Sequence, residues 1–265
     1  YYLQRILCFS YKQIMLNKNI RFWKNKKVFI TGHSGFKGTW LSLTLNILGA
    51  NIVGYSDKRK NNIFFNNLKL RNFKNIYGDV RNYDKLKKSI NIFKPDIIFH
   101  LAAQSLVIEG YSNPKITYDT NCIGTINILE IASKLKSLKS IFIITSDKVY
   151  ENLKKNNFKE NDKLGGDDPY SNSKAAADII AQGYFNFLFS KKNIGLGIIR
   201  AGNVYGGGDF NQDRLIPDVI KSIYLKRKLT IRNGNHIRPW QHILDCTYKY
   251  IILSERIYSN PKKYS

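Results

Sequence analysis

Tyr170-Ser171-Asn172-Ser173-Lys174 places a phenol four residues before an ammonium. On a helix that spacing puts both side chains on one face, where the ammonium can lower the phenol's pKa and make it a base near neutral pH. About twenty residues upstream, Thr145-Ser146-Asp147-Lys148-Val149-Tyr150 follows an apolar run and supplies a hydroxyl at Ser146 that can hydrogen-bond the same reacting oxygen. Ser146, Tyr170 and Lys174 together are the acid/base set of an alcohol oxidised by hydride transfer. Such an oxidation has no use for the adjacent Asp147 and Lys148. A carboxyl and an amine side by side at the end of a buried strand are a second proton donor and acceptor, so the pattern calls for a second chemical step. The competing readings are an ordinary helix pair for Tyr170 and Lys174, and a solvated turn for Asp147-Lys148.

A hydride needs an acceptor, and the residues suited to hold one lie upstream. Residues 26–31 read as a short apolar strand, followed at once by Gly32-His33-Ser34-Gly35-Phe36-Lys37-Gly38 and then by residues 39–48, which have helical apolar spacing. A glycine-rich turn between a strand and a helix lets the backbone approach a pyrophosphate, whose charge the helix N-terminus stabilises. The flanking strand and helix are what make the glycines a dinucleotide signal rather than an ordinary turn. A second strand, residues 51–55, ends at Ser56-Asp57-Lys58-Arg59, near the distance at which an acidic residue meets the adenosine ribose. Asp57 favours NAD. Lys58 and Arg59 suit either the extra phosphate of NADP or solvated loop charges.

Between Lys26 and Arg200 short apolar strands alternate with helical segments. Residues 96–101 and 140–145 are continuous apolar runs of the kind buried on both faces of a parallel sheet, and residues 83–93, 118–135 and 173–189 read as helices. The expected fold is therefore α/β, a doubly wound parallel sheet of Rossmann type, with ligands at the carboxyl ends of its strands. Gly32 and Ser146 both fall at such ends. After Arg200 the texture changes to loops, a helix over residues 215–226, a strand around residues 229–232, and Arg238-Pro239-Trp240-Gln241-His242. The expected division is an N-terminal extension over residues 1–21, a dinucleotide-binding domain over 22–200, and the start of a smaller substrate lobe over 201–265. In that lobe Arg214, Arg232 and Arg238 are candidates for a diphosphate, because guanidinium groups bind phosphate oxygens in a forked geometry.

Composition limits the rest. The chain has 265 residues, 43% hydrophobic, with a formal net charge of +24, enough for a sizeable core. That charge invites a nucleic-acid reading. Against it, the positive residues are mainly Lys scattered among Asn and Ile rather than Arg clustered with aromatics, and no nucleic-acid module is recognisable, so nucleic acid is not an expected partner. Cys8, Cys122 and Cys246 are odd in number and widely spaced, which suggests neither a metal site nor a disulfide framework and fits a reducing compartment, the cytoplasm. No apolar run approaches the length of a membrane helix, and the first fourteen residues carry no signal-peptide cleavage pattern.

Phe22-Trp23-Lys24 with the Gly32 to Gly38 turn, Phe99-His100-Leu101-Ala102-Ala103-Gln104, Thr145-Ser146-Asp147-Lys148, Leu164-Gly165-Gly166-Asp167-Asp168-Pro169-Tyr170-Ser171, Arg200-Ala201-Gly202-Asn203-Val204, Asp213-Arg214-Leu215-Ile216-Pro217-Asp218 and the Arg238 to His242 segment recur together elsewhere. In combination they resemble the CDP-glucose 4,6-dehydratases, a family of extended short-chain dehydrogenases/reductases acting on nucleotide sugars. Two motifs discriminate. His33 with Phe36-Lys37 differs from the Gly-Phe-Ile of related epimerases, and Asp147-Lys148 stands where dTDP-glucose dehydratases carry Asp-Glu. The resemblance implies a lyase with tightly held NAD. In it Tyr170 takes the sugar 4-hydroxyl proton with Ser146 and Lys174 assisting, Lys148 takes the C5 proton, and Asp147 protonates the departing 6-hydroxyl.

It further implies NAD contacts from Gly32, Ser34, Gly35, Phe36, Lys37, Gly38, Asp57, Asp79, Val80, Leu101, Ala102, Ala103, Asn121, Tyr170 and Lys174. Sugar-nucleotide contacts would come from Gln104, Asn203, Arg214, Arg232 and Arg238. A homo-oligomer stays open as a partner. Family members begin near Met15 and continue past Ser265, so residues 1–14 resemble translated upstream sequence and the chain resembles a fragment with its substrate lobe incomplete. Ile108-Glu109-Gly110 departs from the family's basic, serine-containing stretch and puts a negative charge near the expected sugar pocket, and Asp57 stands where the family more often has an apolar residue. A nucleotide-sugar 4-epimerase and a non-catalytic NAD-binding fragment are the alternatives.

Overall fold

The computed structural model describes residues 20–57, 62–151, 157–211, 214–231, 234–235 and 237–265. Met15 and the segment before it, together with Lys58, Arg59, Asp213 and Arg232, lie outside the described residues.

Chain order runs α1 (Ile20–Trp23), β1 (Lys27–Thr31), α2 (Phe36–Ile47), β2 (Asn51–Ser56), α3 (Ile63–Asn66), β3 (Phe73–Tyr77), α4 (Tyr83–Phe93), β4 (Ile97–His100), α5 (Val107–Ser112) and α6 (Pro114–Tyr118). A π-helical turn (Asp119–Ile123) leads into α7 (Gly124–Ser133), then β5 (Ser140–Ile144), a 3-10 turn (Asp147–Val149), α8 (Pro169–Tyr184), β6 (Gly195–Ile199), β7 (Asn203–Tyr205), α9 (Leu215–Tyr224), β8 (Trp240–His242), α10 (Ile243–Ser259) and α11 (Pro261–Tyr264). Six strands form one sheet in the order β3-β2-β1-β4-β5-β6, and every neighbouring pair is parallel. The order reverses between β1 and β4, which opens a crevice at their carboxyl ends.

Both faces are covered, which is why the central strands are apolar without alternation. Side chains still alternate between faces. Val28 and Ile30 of β1 join the core formed with α2 and α10, whereas Phe29 joins the core under α4, α7 and α8. Two strands carry weak sequence signals. β3 is a half-polar edge strand, and β6 contains Gly195 and Gly197, residues of low strand propensity. Packing explains the second case: a Cβ on Gly197 would stand 2.6 Å from the Phe142 ring, so only glycine fits beside that stacked aromatic.

Several elements differ from expectation. The helix expected over 118–135 begins as α6 and passes through the π-helical turn, which is common where a helix wall is shaped for a site. The helix expected from residue 173 starts at Pro169, because Asp168 caps it by accepting from the Ser171 N–H at 3.0 Å. No strand forms over residues 229–231; the extended pair after Arg200 is instead β7 with β8, in parallel register from Asn203 opposite Trp240. Nor does packing break at residue 200, since Ile243, Cys246, Tyr250 and Ile251 of α10 lie in the core beside Trp40 and Leu41. Among the described residues no helix is long and apolar enough to cross a membrane.

Candidate active site

The glycines after β1 have separate structural duties. Gly32 has φ +74°, and a Cβ there would stand 2.6 Å from the Ala102 nitrogen, so the ends of β1 and β4 meet only across a glycine. A Cβ on Gly38 would fall 2.1 Å from the Gly32 carbonyl oxygen, closing the first turn of α2 onto the strand end. Gly35 is less constrained, with a Cβ 3.3 Å from the same oxygen. It stands at the N-cap of α2 without a side-chain cap, leaving first-turn N–H groups for an anion. The buried Ser34 hydroxyl beside it has no hydrogen-bond partner among the described residues. An uncapped helix start, an orphaned hydroxyl and a glycine-lined approach fit the pyrophosphate of a dinucleotide. Gly35→Val is expected to lower NAD affinity at least about tenfold, measured by calorimetry, with the fold retained. Unchanged affinity in a folded variant would argue against this cradle.

At the adenosine end, Asp57 follows β2 and Asp79 follows β3, close enough that the Asp57 charge acts on Asp79. Arg81 donates to the Asp79 carboxylate at 2.6 to 3.0 Å and holds it below the usual carboxylate range. Val80 is buried, and its carbonyl accepts from Asn127 at 2.9 Å. Across the crevice Leu101 and Ala102 are held by N–H bonds to the Thr31 carbonyl and hydroxyl, and Leu101, Ala102 and Ala103 stay half-buried along its edge. Phe36 is part of the core, and Lys37 lies within electrostatic reach of Cys246, Arg214, Asp147 and Asp209. Burial pushes the Lys37 pKa down, with Cys246 and the two carboxylates opposing and Arg214 reinforcing.

The acid/base residues converge. Ser146 follows β5; its hydroxyl donates to the Asp147 carboxylate at 3.1 Å and lies close enough to the Tyr170 phenol to favour its ionised form. The Lys148 ammonium lies 5.9 Å from the centre of the Tyr170 ring. Lys174, nearly fully buried, donates to the Ile144 carbonyl at 2.9 Å and so ties α8 to the end of β5. Burial raises the Tyr170 pKa, opposed by the Ser146 hydrogen bond and the Arg214 charge and reinforced by Asp147 and Asp168. Lys148 behaves as a base requires: burial lowers its pKa, Arg238 and Arg214 reinforce this, and Asp147 and Asp168 oppose it.

Of the sugar-nucleotide candidates, Arg214 and Arg238 face this cluster, with Arg214 also paired to Asp209 at 3.1 Å. Asn203 opens β7, where its N–H donates to the Pro239 carbonyl at 2.9 Å. The Gln104 amide is engaged by Leu106 and Thr117, which shapes the turn after β4. Asn121, on the π-helical turn, joins that turn to α8 by bonds to both Gln104 backbone groups and to the Ser173 hydroxyl. Gly110 packs on the Tyr170 backbone, whereas Glu109 itself accepts from Asn113 at 2.7 Å. Two residues escaped the sequence reading. Asp168 both caps α8 and acts on Lys148 and Tyr170; its signal was an Asp-Pro pair just before a helical run. Buried His100 bridges Thr31 at 2.8 Å and Thr125 at 3.3 Å, for which nothing in the apolar run gave warning.

Residues 29–258 match the protein family described as GDP-mannose 4,6 dehydratase. The chain is 44% identical over 259 residues to the CDP-glucose 4,6-dehydratase of Salmonella typhimurium, covering 95% of this chain and 72% of that protein. It is 30% identical over 246 residues to the dTDP-D-glucose 4,6-dehydratase of Dictyostelium discoideum, covering 86% and 55%. The chain thus spans between about half and three quarters of the length of these relatives. Among solved structures, the dTDP-glucose 4,6-dehydratase of Bacillus anthracis in complex with NAD superposes with a TM-score of 0.73 at 25% identity, covering 91% of this chain and 73% of that one. The epimerase Mth375 of Methanothermobacter thermautotrophicus superposes with a TM-score of 0.80 at 22% identity, covering 89% and 69%, a likeness of fold.

Proposed function

The chain belongs to the GDP-mannose 4,6 dehydratase family, and from that membership we propose that it is an NAD-dependent nucleotide-sugar 4,6-dehydratase, a lyase converting CDP-glucose to CDP-4-keto-6-deoxyglucose. The observation that carries this reading is the junction of two acid/base pairs at one site, with Ser146 bonded to Asp147 and acting on the Tyr170 phenol, and with Lys148 5.9 Å from the Tyr170 ring. NAD, when bound, would supply the hydride acceptor for sugar C4 and the hydride donor for C6, and so would not be consumed. Gly32, Ser34, Gly35 and Gly38 hold its pyrophosphate, and Asp57 and Asp79 face its adenosine end.

Tyr170 takes the 4-hydroxyl proton, with Ser146 sharing the hydrogen bond. Burial alone disfavours the phenolate; the Arg214 charge opposes this, and Lys174 one turn along α8 and the positive charge of NAD, when bound, would stabilise it further. A 4-ketone acidifies C5–H, and Lys148, its ammonium destabilised by burial and by Arg238, accepts that proton. Asp147 then delivers a proton to the 6-hydroxyl, which leaves as water to give the 4-keto-5,6-alkene, and after hydride addition at C6 the protonated Lys148 returns its proton to C5. Arg214 and Arg238 bind the diphosphate, with Asn203 beside them. Residues 22–200 form the cofactor half; beyond residue 200 the segment carrying Asn203, Arg214 and Arg238 begins the substrate side, while α10 packs in the core of the sheet.

Ile123 just before α7, Ile179 on α8 and Phe187 in the π-helical turn after α8 (Phe185–Phe189) are 45%, 55% and 73% exposed, apolar surface suited to a homo-oligomer. Cys122 and Cys246 as free thiols suit a reducing compartment, the cytoplasm. The activity is tested by incubating the protein with CDP-glucose and NAD. A CDP-4-keto-6-deoxy sugar is the expected product, and formation of the 4-epimer alone would replace dehydration with epimerisation.

A further inference from the structure

Asp178 is fully buried on α8, four residues beyond Lys174 and eight beyond Tyr170, so it continues the face that carries both. The chemistry above makes no use of it. Its carboxylate accepts from Arg200 Nε and Nη2 at 2.8 and 2.9 Å in a forked pair, from Gln182 at 2.8 Å, and from the Thr145 hydroxyl at 3.2 Å. Arg200 follows β6. Its Nη1 donates to the Tyr150 hydroxyl at 3.1 Å and to the Glu160 carbonyl at 2.7 Å, and the guanidinium lies 5.1 Å from the centre of the Tyr150 ring. That ring stacks on Phe158 at 4.7 Å.

Thr145 and Tyr150 bracket the segment that carries Ser146, Asp147 and Lys148. The pair therefore grips this segment at both ends and fastens it to the helix of Tyr170 and Lys174. Backbone bonds continue the tie, since Thr145 N–H donates to the Ile199 carbonyl and Asp147 N–H to the Ala201 carbonyl, on either side of Arg200. A buried ion pair gains little over an apolar pair in stability, but its fork holds two elements at one distance and angle.

We infer that Asp178 and Arg200 are positioning residues for the second half of the reaction, setting Asp147 and Lys148 against Tyr170 so that C5 deprotonation follows C4 oxidation at one site. This rests on the dehydratase reading, and the test separates the two. The double variant Asp178→Leu/Arg200→Met removes both charges without orphaning either, and Tyr150→Phe removes one link while keeping the ring stack. In the double variant, 4-ketone formation, trapped with hydroxylamine, should stay within about threefold of the wild type, while deuterium exchange at C5 falls at least about tenfold. Tyr150→Phe should show a smaller loss of exchange alone. Equal loss of both steps, or undiminished exchange, overturns the inference.

Competitive acetylation supplies a readout that needs no turnover. The Lys148 rate, referenced to exposed Lys134, should rise at least about threefold in the double variant and measurably in Tyr150→Phe as the segment loosens. Unchanged Lys148 labelling in the folded double variant overturns the inference whatever the activity. Should the double variant fail to fold, unchanged labelling and exchange in Tyr150→Phe does the same. Absence of dehydration by the wild type defeats the functional reading and leaves labelling to decide the positioning role.

Discussion

Tyr170→Phe is expected to lower formation of the 4-ketone from CDP-glucose by about a thousandfold, within the range usual for loss of a positioned general base. Lys148→Ala should still form the ketone and lose solvent-deuterium exchange at C5. The two effects separate because the two residues act on different protons, although both sit within reach of Ser146 and Asp147. The profile with pH adds a second check. The Lys148 pKa is lowered, so its basic form is present below the ordinary lysine range, and the exchange rate should rise with pH along a limb lying below that range. A limb at the ordinary lysine value, or C5 exchange that survives in Lys148→Ala, would falsify the assignment of Lys148 as base.

Acid should destabilise the protein steeply, through two histidines that are buried in the neutral form. Burial pushes the His33 pKa down to about 4, with the Tyr55 backbone and the Asn75 side chain opposing weakly. His100 is pushed to about 3, by burial first and then by the Lys174 charge. Above about pH 6.5 these residues are neutral in both the folded and unfolded chain and cost nothing. As pH falls below that value the unfolded chain takes up protons that the folded one refuses until about pH 4 and 3 respectively, so stability is lost across this window. Together they should remove about 3 to 5 kcal/mol between pH 7.5 and 4.5, a large share of a typical domain's stability. Urea unfolding at the two pH values measures it. His33→Phe, placed against the rings of Phe65 and Phe73, keeps an aromatic there and should remove about half of the acid loss. Equal acid loss in that variant and in the wild type would remove His33 from the account.

The parallel sheet and its ligand end were legible along the chain because both are local in origin. A strand buried on two faces must be continuously apolar, a strand-to-helix turn at an anion must be glycine, and a Tyr and Lys four apart must share a helix face. Residues 26–38 and 170–174 state these conditions by themselves, and Asp147-Lys148 states that a second proton donor and acceptor are present. Only the tertiary structure decided which of these groups meet. Lys37, expected among the NAD contacts, lies within electrostatic reach of Cys246, Arg214 and Asp147, residues far along the chain that packing brings near it. The Gln104 amide is engaged within the turn after β4, and burial raises the Tyr170 pKa against the opposing influence of Ser146 and Arg214. Contacts of this kind join residues tens of positions apart, and burial is a property of the assembled layers. Spacing along the chain carries the first kind of information, and only packing carries the second.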